Sequence, residues 1–159
     1  MKAVINPAEL PLSGRSHSDK FAVQTGEVAE ALGLSGLGCM LHVVPPGKRA
    51  FPFHRHHISD EMFVILSGTG EYRIGKERLP VKPGDCLGAP AGGEAHQIIN
   101  NGSEELRYLG FSNNGSTEIV EYPDTGKIAA TTGMANGDVK TARFRAIGRL
   151  AKADYWDGE

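Results

Sequence analysis

A chain of 159 residues, 40% hydrophobic and 23% charged, has the length and composition of one globular domain, long enough to bury roughly 70% of the surface its unfolded form exposes. Its net charge of −2, spread without any block of like sign, gives no nucleic-acid face, so no such partner is expected. The longest apolar run, residues 62–66, is far short of a membrane span, and the N-terminus lacks the apolar core of a signal peptide. The expectation is a cytoplasmic protein with no membrane partner.

Glycine and proline, 21 and 9 residues, break the chain at the roughly 8–12-residue spacing of an all-β protein. The spacing predicts ten short strands, over 21–25, 38–44, 51–56, 61–67, 70–74, 77–81, 85–89, 96–100, 106–110 and 117–121. Turn-forming stretches separate them at 45–47, 67–70, 82–85 and 100–103, rich in residues that tolerate positive φ or preset the first turn position. One short helical segment, 27–34, carries Gly33 near its end and reads as a single turn between strands. Residues 123–140 show no sustained periodicity and read as a long surface excursion; the tail, with Phe144, Ile147, Leu150, Tyr155 and Trp156, could dock on its own barrel or on a partner's. This divides the single domain into an N-terminal arm with the first strands (1–36), a barrel core (37–122) and a C-terminal extension packing on the barrel (123–159). Cys39 and Cys86 each lie in an apolar strand-like segment and are expected to be buried free thiols.

The chemistry concentrates in residues 53–68. His54 and His56 are two apart, so on a strand both imidazoles leave the same face. Glu61 then opens a strand whose alternation sends Glu61, Phe63 and Ile65 to one face and Met62, Val64 and Leu66 to the other. Two neutral imidazoles and a carboxylate suit a divalent transition ion better than calcium or magnesium, which prefer all-oxygen shells. A fourth ligand, His96, follows a glycine turn, a strand and a Pro/Gly corner, with Ile98 and Asn100 sharing its face. The competing reading of the same four residues is a pocket whose histidines merely hydrogen-bond one another. Alternation turns His57 away from His56, and His42 is expected to be a satisfied structural histidine. Tyr72, alternating with Ile74, is the best aromatic candidate for the cavity wall, while Asp60 and Glu94 sit beside ligands in turns where acidic residues are usually just solvated.

Taken together, Gly47, His54, His56, Glu61 and Gly68, then Gly84, Pro90, Gly92 or Gly93, His96 and Asn100, resemble the paired motifs of the cupin superfamily. Two departures, an extra residue before His54 and another before His96, both fall in turns. The resemblance implies a double-stranded β-helix, a jelly-roll barrel in which the two motifs are adjacent hairpins and His54, His56, Glu61 and His96 hold one metal, whether Fe, Mn, Ni, Zn or Cu. Phe63, Ile65, Tyr72, Ile98 and Asn100 are the pocket candidates. Beyond the barrel, residues 122–127 and 155–159 are similar to a group of small bacterial cupins without an assigned activity.

A metal with open positions implies an enzyme of dioxygenase, isomerase or lyase type acting on a small oxygenated metabolite. The alternative is a non-catalytic module that uses the metal to bind or sense a carbohydrate or organic acid. Exposed sheet edges and the outward Met62, Val64 and Leu66 make a homodimer the expected assembly.

Overall fold

The computed structural model describes residues 2–159. In chain order it consists of a 3-10 turn (Pro7–Glu9), β1 (Ser13–His17), β2 (Phe21–Glu27), α1 (Val28–Leu32), β3 (Leu37–Val44), β4 (Arg55–His56), β5 (Glu61–Ser67), β6 (Gly70–Ile74) and β7 (Glu77–Val81). Then follow β8 (Cys86–Ala89), β9 (His96–Ile99), β10 (Leu106–Asn113), β11 (Thr117–Tyr122), β12 (Lys127–Thr132), a second 3-10 turn (Val139–Thr141) and β13 (Phe144–Gly148). All pairings between these strands are antiparallel. One sheet has the order β1-β2-β3-β10-β5-β8, a second β13-β12-β11-β4 and a third β7-β6-β9. No helix among the described residues is long and apolar enough to cross a membrane.

The main core is drawn from strands of the six- and three-stranded sheets: Val23, Val44, Phe63, Ile65, Tyr72, Leu87, Ile98, Leu106 and Tyr108 are all buried in one connected cluster. Along β5 the expected alternation holds, with Phe63 and Ile65 buried and Met62 and Leu66 exposed. β3 is covered on both sides, because His42 and Val44 face inward while Cys39, Leu41 and Val43 pack under Val28 and Ala29 of α1 in a second cluster. Gly33 closes α1 in the left-handed region at φ 73°, the conformation a side chain resists.

Three strands were not legible as such. β1 and β13 are edge strands with every residue exposed, so neither carries an apolar alternation. β12 lies inside the stretch read as a surface excursion; its small residues Ala129, Ala130, Thr131 and Thr132 mask a regular pairing with β11 and β13. The strand expected over 51–56 is shorter, reduced to β4 and an isolated bridge at His54, since Pro52 has no N–H to give to a ladder. Cys86 is a further correction. It stands directly opposite Val64 on the outward face and is exposed, whereas Cys39 is buried and burial pushes its thiol up to about 11.

The motif glycines and Asn100 build the corners. Asn100 is completely buried: its amide donates to the carbonyls of Val44 (2.8 Å) and Glu104 (2.7 Å), and its Oδ1 accepts from Gly102 N–H (3.0 Å). Its backbone accepts from Gly47 N–H and donates to Lys48 C=O, both at 2.9 Å, so the first glycine of one motif is tied to the last residue of the other. Gly68, at φ 78°, passes so close to the next turn that a Cβ would stand 2.3 Å from Glu105 O.

Candidate metal centre

His54 and His96 face each other across an antiparallel bridge and exchange both backbone hydrogen bonds, 3.1 Å from His54 N to His96 O and 2.7 Å in return. Directly opposed residues share a face, which brings the two imidazole centroids to 4.6 Å. His54 Nδ1–H donates to the Pro52 carbonyl at 2.8 Å, and because a carbonyl only accepts, this fixes the tautomer and leaves Nε2 bare. Burial pushes the His54 imidazole down to about 4, so it stays neutral at physiological pH.

Glu61 enters from the start of β5, in a different sheet. One ligand atom each of His54, Glu61 and His96 lies within 4.8 Å of the other two. Ligands about 2.0–2.2 Å from one ion stand at most about 4.4 Å apart, so the trio has only to close slightly on a metal. His56 lies outside this tight group but touches it, its Nε2 3.4 Å from Glu61 Oε2. Burial opposes ionisation of Glu61, yet the imidazoles of His96, His56 and His54 around it hold its carboxyl below the usual range.

The donor atoms fit a metal on their own hydrogen-bonding record. Glu61 Oε2 and both ring nitrogens of His96 are buried without a hydrogen-bond partner, although His96 Nε2 comes within 3.0 Å of Glu61 Oε2. Imidazoles that simply hydrogen-bonded one another would be aligned to do so. Buried polar atoms that converge without pairing are instead what a cation ligates.

Glu118 is the functional candidate that the sequence did not reveal. It sits on β11, buried, and its carboxylate accepts from the N–H groups of Ile58 (3.1 Å), Ser59 (2.9 Å) and Ile119 (2.9 Å). Its Oε2 also lies 3.3 Å from His56 Nδ1, in contact but not aligned for a hydrogen bond. Burial pushes the Glu118 carboxyl up, but its contacts with Ser59, His56, Ile119 and Ile58 outweigh that and leave it lowered. A carboxylate behind one ring nitrogen turns the other toward the centre, the arrangement that orients metal-ligating histidines. No local motif marks Glu118, because it reaches His56 only through the pairing of β4 with β11.

The remaining candidates divide by position. Tyr72 and Phe63 pack on His96, with ring centroids at 6.1 and 5.6 Å, and the Tyr72 hydroxyl donates to Gly88 O at 2.9 Å. Ile65 and Ile98 lie deeper in the core, and Asn100 is committed to the corner described above. His57 turns away from the centre toward Glu121, 3.3 Å from its Oε2, beside the Arg55–Glu121 ion pair. Asp60 accepts from Ala91 N–H at 2.8 Å and so pins the corner that leads to His96. The 122–127 segment also has a structural use: Asp124 forms a bidentate pair with Arg73 at 2.7 and 2.9 Å, Arg73 lies 3.5 Å over the Phe53 ring, and Tyr122 stacks on His54.

His42 corrects an expectation. It is buried, stacked on Tyr108 at 4.7 Å, and its Nδ1 has no hydrogen-bond partner. Burial pushes its imidazole from 6.5 down to about 4. The unfolded chain therefore takes up a proton near pH 6.5 that the folded one refuses until about pH 4, and stability falls as pH drops through that window. His42 alone should contribute about 3 kcal/mol to the loss, and His54 acts in the same direction. Urea denaturation of metal-free protein at pH 7.5 and 4.5 should show a smaller loss for His42→Phe than for wild type. Equal losses would place the sensitivity elsewhere.

Beside the centre a cavity of about 220 Å³ opens between β11, β12, the end of β10 and the second 3-10 turn, with His56, Glu61 and Glu118 in its wall.

Residues 40–112 match the family model of the cupin domain. An uncharacterised protein of Methanocaldococcus jannaschii is 34% identical over 83 residues, which are 50% of this chain and 65% of that protein, so the chain spans less than two thirds of this relative. A crystal structure from Acidithiobacillus ferrooxidans, provisionally called a sugar phosphate isomerase, is 25% identical with a TM-score of 0.76 over 92% of each chain. A cupin-superfamily sugar phosphate isomerase from Silicibacter pomeroyi is 21% identical with a TM-score of 0.77 over 98% of this chain and 94% of that one, a likeness of fold. A predicted oxalate decarboxylase from Thermotoga maritima is 25% identical with a TM-score of 0.60 over 69% of this chain and 97% of that one. The first two structural likenesses run well beyond residues 40–112 and take in nearly the whole chain, which has the double-stranded β-helix fold, and residues 40–112 form a cupin domain within it.

Proposed function

We propose that the protein is a metal-dependent enzyme acting on a small oxygenated metabolite, with one divalent transition metal ion held by His54, His56, Glu61 and His96. The observation that carries this reading is the convergence of unpaired, buried donor atoms of Glu61 and His96 with the bare Nε2 of His54, next to a cavity that Glu61 and His56 line. An ion bound there would act as a Lewis acid toward a carbonyl or enediol. The chain's own share is positional: Pro52 O sets the His54 tautomer, Glu118 turns His56, and Phe63 and Tyr72 pack around His96. Among the three reaction types, isomerase chemistry is favoured, since the structure overlapping 92% of this chain at 25% identity is provisionally called a sugar phosphate isomerase. The decarboxylase-named structure of equal identity overlaps only 69%.

One observation favours the alternative, a module that binds or senses its ligand without turnover. Glu118, the other carboxylate of the cavity wall, is already engaged by three backbone N–H groups and lies against His56, and is poorly placed to take a proton from a ligand. A homodimer belongs to either reading and is supported by the exposed Met62, Leu66, Phe144 and Ile147.

Proton exchange separates the two. Incubating metal-loaded protein with aldoses and ketoses in D₂O should replace the proton next to the carbonyl of one of them, seen as loss of its ¹H resonance, and Glu61→Gln should stop the exchange. Saturable binding with neither exchange nor interconversion of aldose and ketose would select the binding module.

A further inference from the structure

We infer that the cavity beside the metal centre takes an uncharged, polyhydroxylated small molecule such as a free sugar, and that the C-terminal segment from Thr131 to Val139 sets this preference. The inference rests on the metal-centred reading above and adds the class of ligand to it.

Charge comes first. Two carboxylates, Glu61 and Glu118, stand in the cavity wall, and Glu118 accepts from the N–H groups of Ile58, Ser59 and Ile119. No lysine or arginine lines the cavity among the described residues, and Lys140 and Arg143 of the neighbouring segment lie outside its lining. A phosphate ester would bring roughly −1.5 to −2 charges against the two carboxylates of a wall that offers no lysine or arginine to meet it. Like charges brought together disfavour one another, so the cavity selects against it.

The rest of the lining suits hydroxyl groups. Ser112 and Asn113 come from the end of β10, and Thr131 stands opposite Glu118 in the β11–β12 pairing. These are side chains that both donate and accept, the complement of a polyol. Met134 and Val139 add apolar wall that could pack on the C–H face of a ring. At about 220 Å³ the space is below the roughly 300–1,000 Å³ of drug-sized sites, which restricts the ligand to a small one.

This wall is built in advance. Met134 N–H donates to Ser116 O (3.0 Å), Ala135 N–H to the Thr141 hydroxyl (2.8 Å), and that hydroxyl to Asp138 O (2.7 Å). Gly137, at φ 73°, lies where a Cβ would be 2.8 Å from Asn114 Oδ1, so the loop fits closely against the end of β10. A loop ordered before binding costs less to bind with.

The test uses full-length protein loaded with Zn²⁺ and calorimetric titration with D-ribose, D-fructose, ribose 5-phosphate, fructose 6-phosphate and D-gluconate. We expect at least one free sugar to bind saturably, with its phosphate at least 10-fold weaker. Thr131→Val should weaken the sugar at least 5-fold with zinc content unchanged, and Val139→Lys should shift preference toward the phosphate. Tighter binding of a phosphate or of gluconate than of the sugars, binding of none of the five, or indifference to both substitutions would overturn the inference. Failure of the underlying reading would be seen separately, as zinc that does not bind or that survives Glu61→Gln.

Discussion

Replacing His96 by alanine should abolish stoichiometric metal binding, lowering affinity by more than the 10–100-fold typical of losing a residue that only orients a ligand. His96 is 3% exposed, and its ring nitrogens make no aligned hydrogen bond, with only the carboxylate of Glu61, itself a proposed ligand, close to Nε2. A graded series follows from the geometry. His56→Ala should weaken binding strongly, His57→Ala should leave it intact because that ring faces Glu121, and Glu118→Gln should cost roughly 10–100-fold by loosening His56. Metal content of dialysed protein, measured by elemental analysis, checks all four. If His57→Ala loses metal and His56→Ala keeps it, the strand alternation that separates the two rings is wrong.

What could be read before the fold was known followed from local periodicity. β5, β6 and β7 lie where alternation and turn residues place them, and the facing of Glu61, Phe63 and Ile65 is a property of five consecutive residues. His54, Glu61 and His96 were legible because the spacing of two hairpins brings them together. Glu118 was not, since its partner is dozens of residues away and the pairing of β11 with β4 leaves no trace in either segment. Asn100 was legible as a position and misread as a pocket wall, for a side chain on the ligand face of β9 can equally turn into the corner and bond backbone. Cys86 shows the same limit: an apolar strand does not say which of its faces is covered.

Asn100→Ala is expected to produce the largest loss of stability, about 3–5 kcal/mol. The substitution leaves the Val44 carbonyl without a partner in a buried place and the Glu104 carbonyl and Gly102 N–H without one in a partly buried place, and each such group costs about 1–3 kcal/mol, not fully additively. For a chain of this size the melting temperature should fall by roughly 10–15 °C. Urea titration should show a lower midpoint with an unchanged slope, as the native state stays compact. A loss under about 1 kcal/mol would mean that the corner is held by Gly47 and Lys48 alone, through backbone bonds that the substitution spares.

The bridge between His54 and His96 also bears on the order in which the chain can acquire its centre. An unfolded chain presents His54 and His56 as a local pair, while His96 and Glu118 come into place only through contacts between distant segments, which form slowly because loop closure must precede them. A metal bound at this centre would therefore recognise the finished barrel and almost nothing before it, adding stability in proportion to its free concentration without hastening folding. Removing the metal would take away that added stability and leave the order of folding as it is.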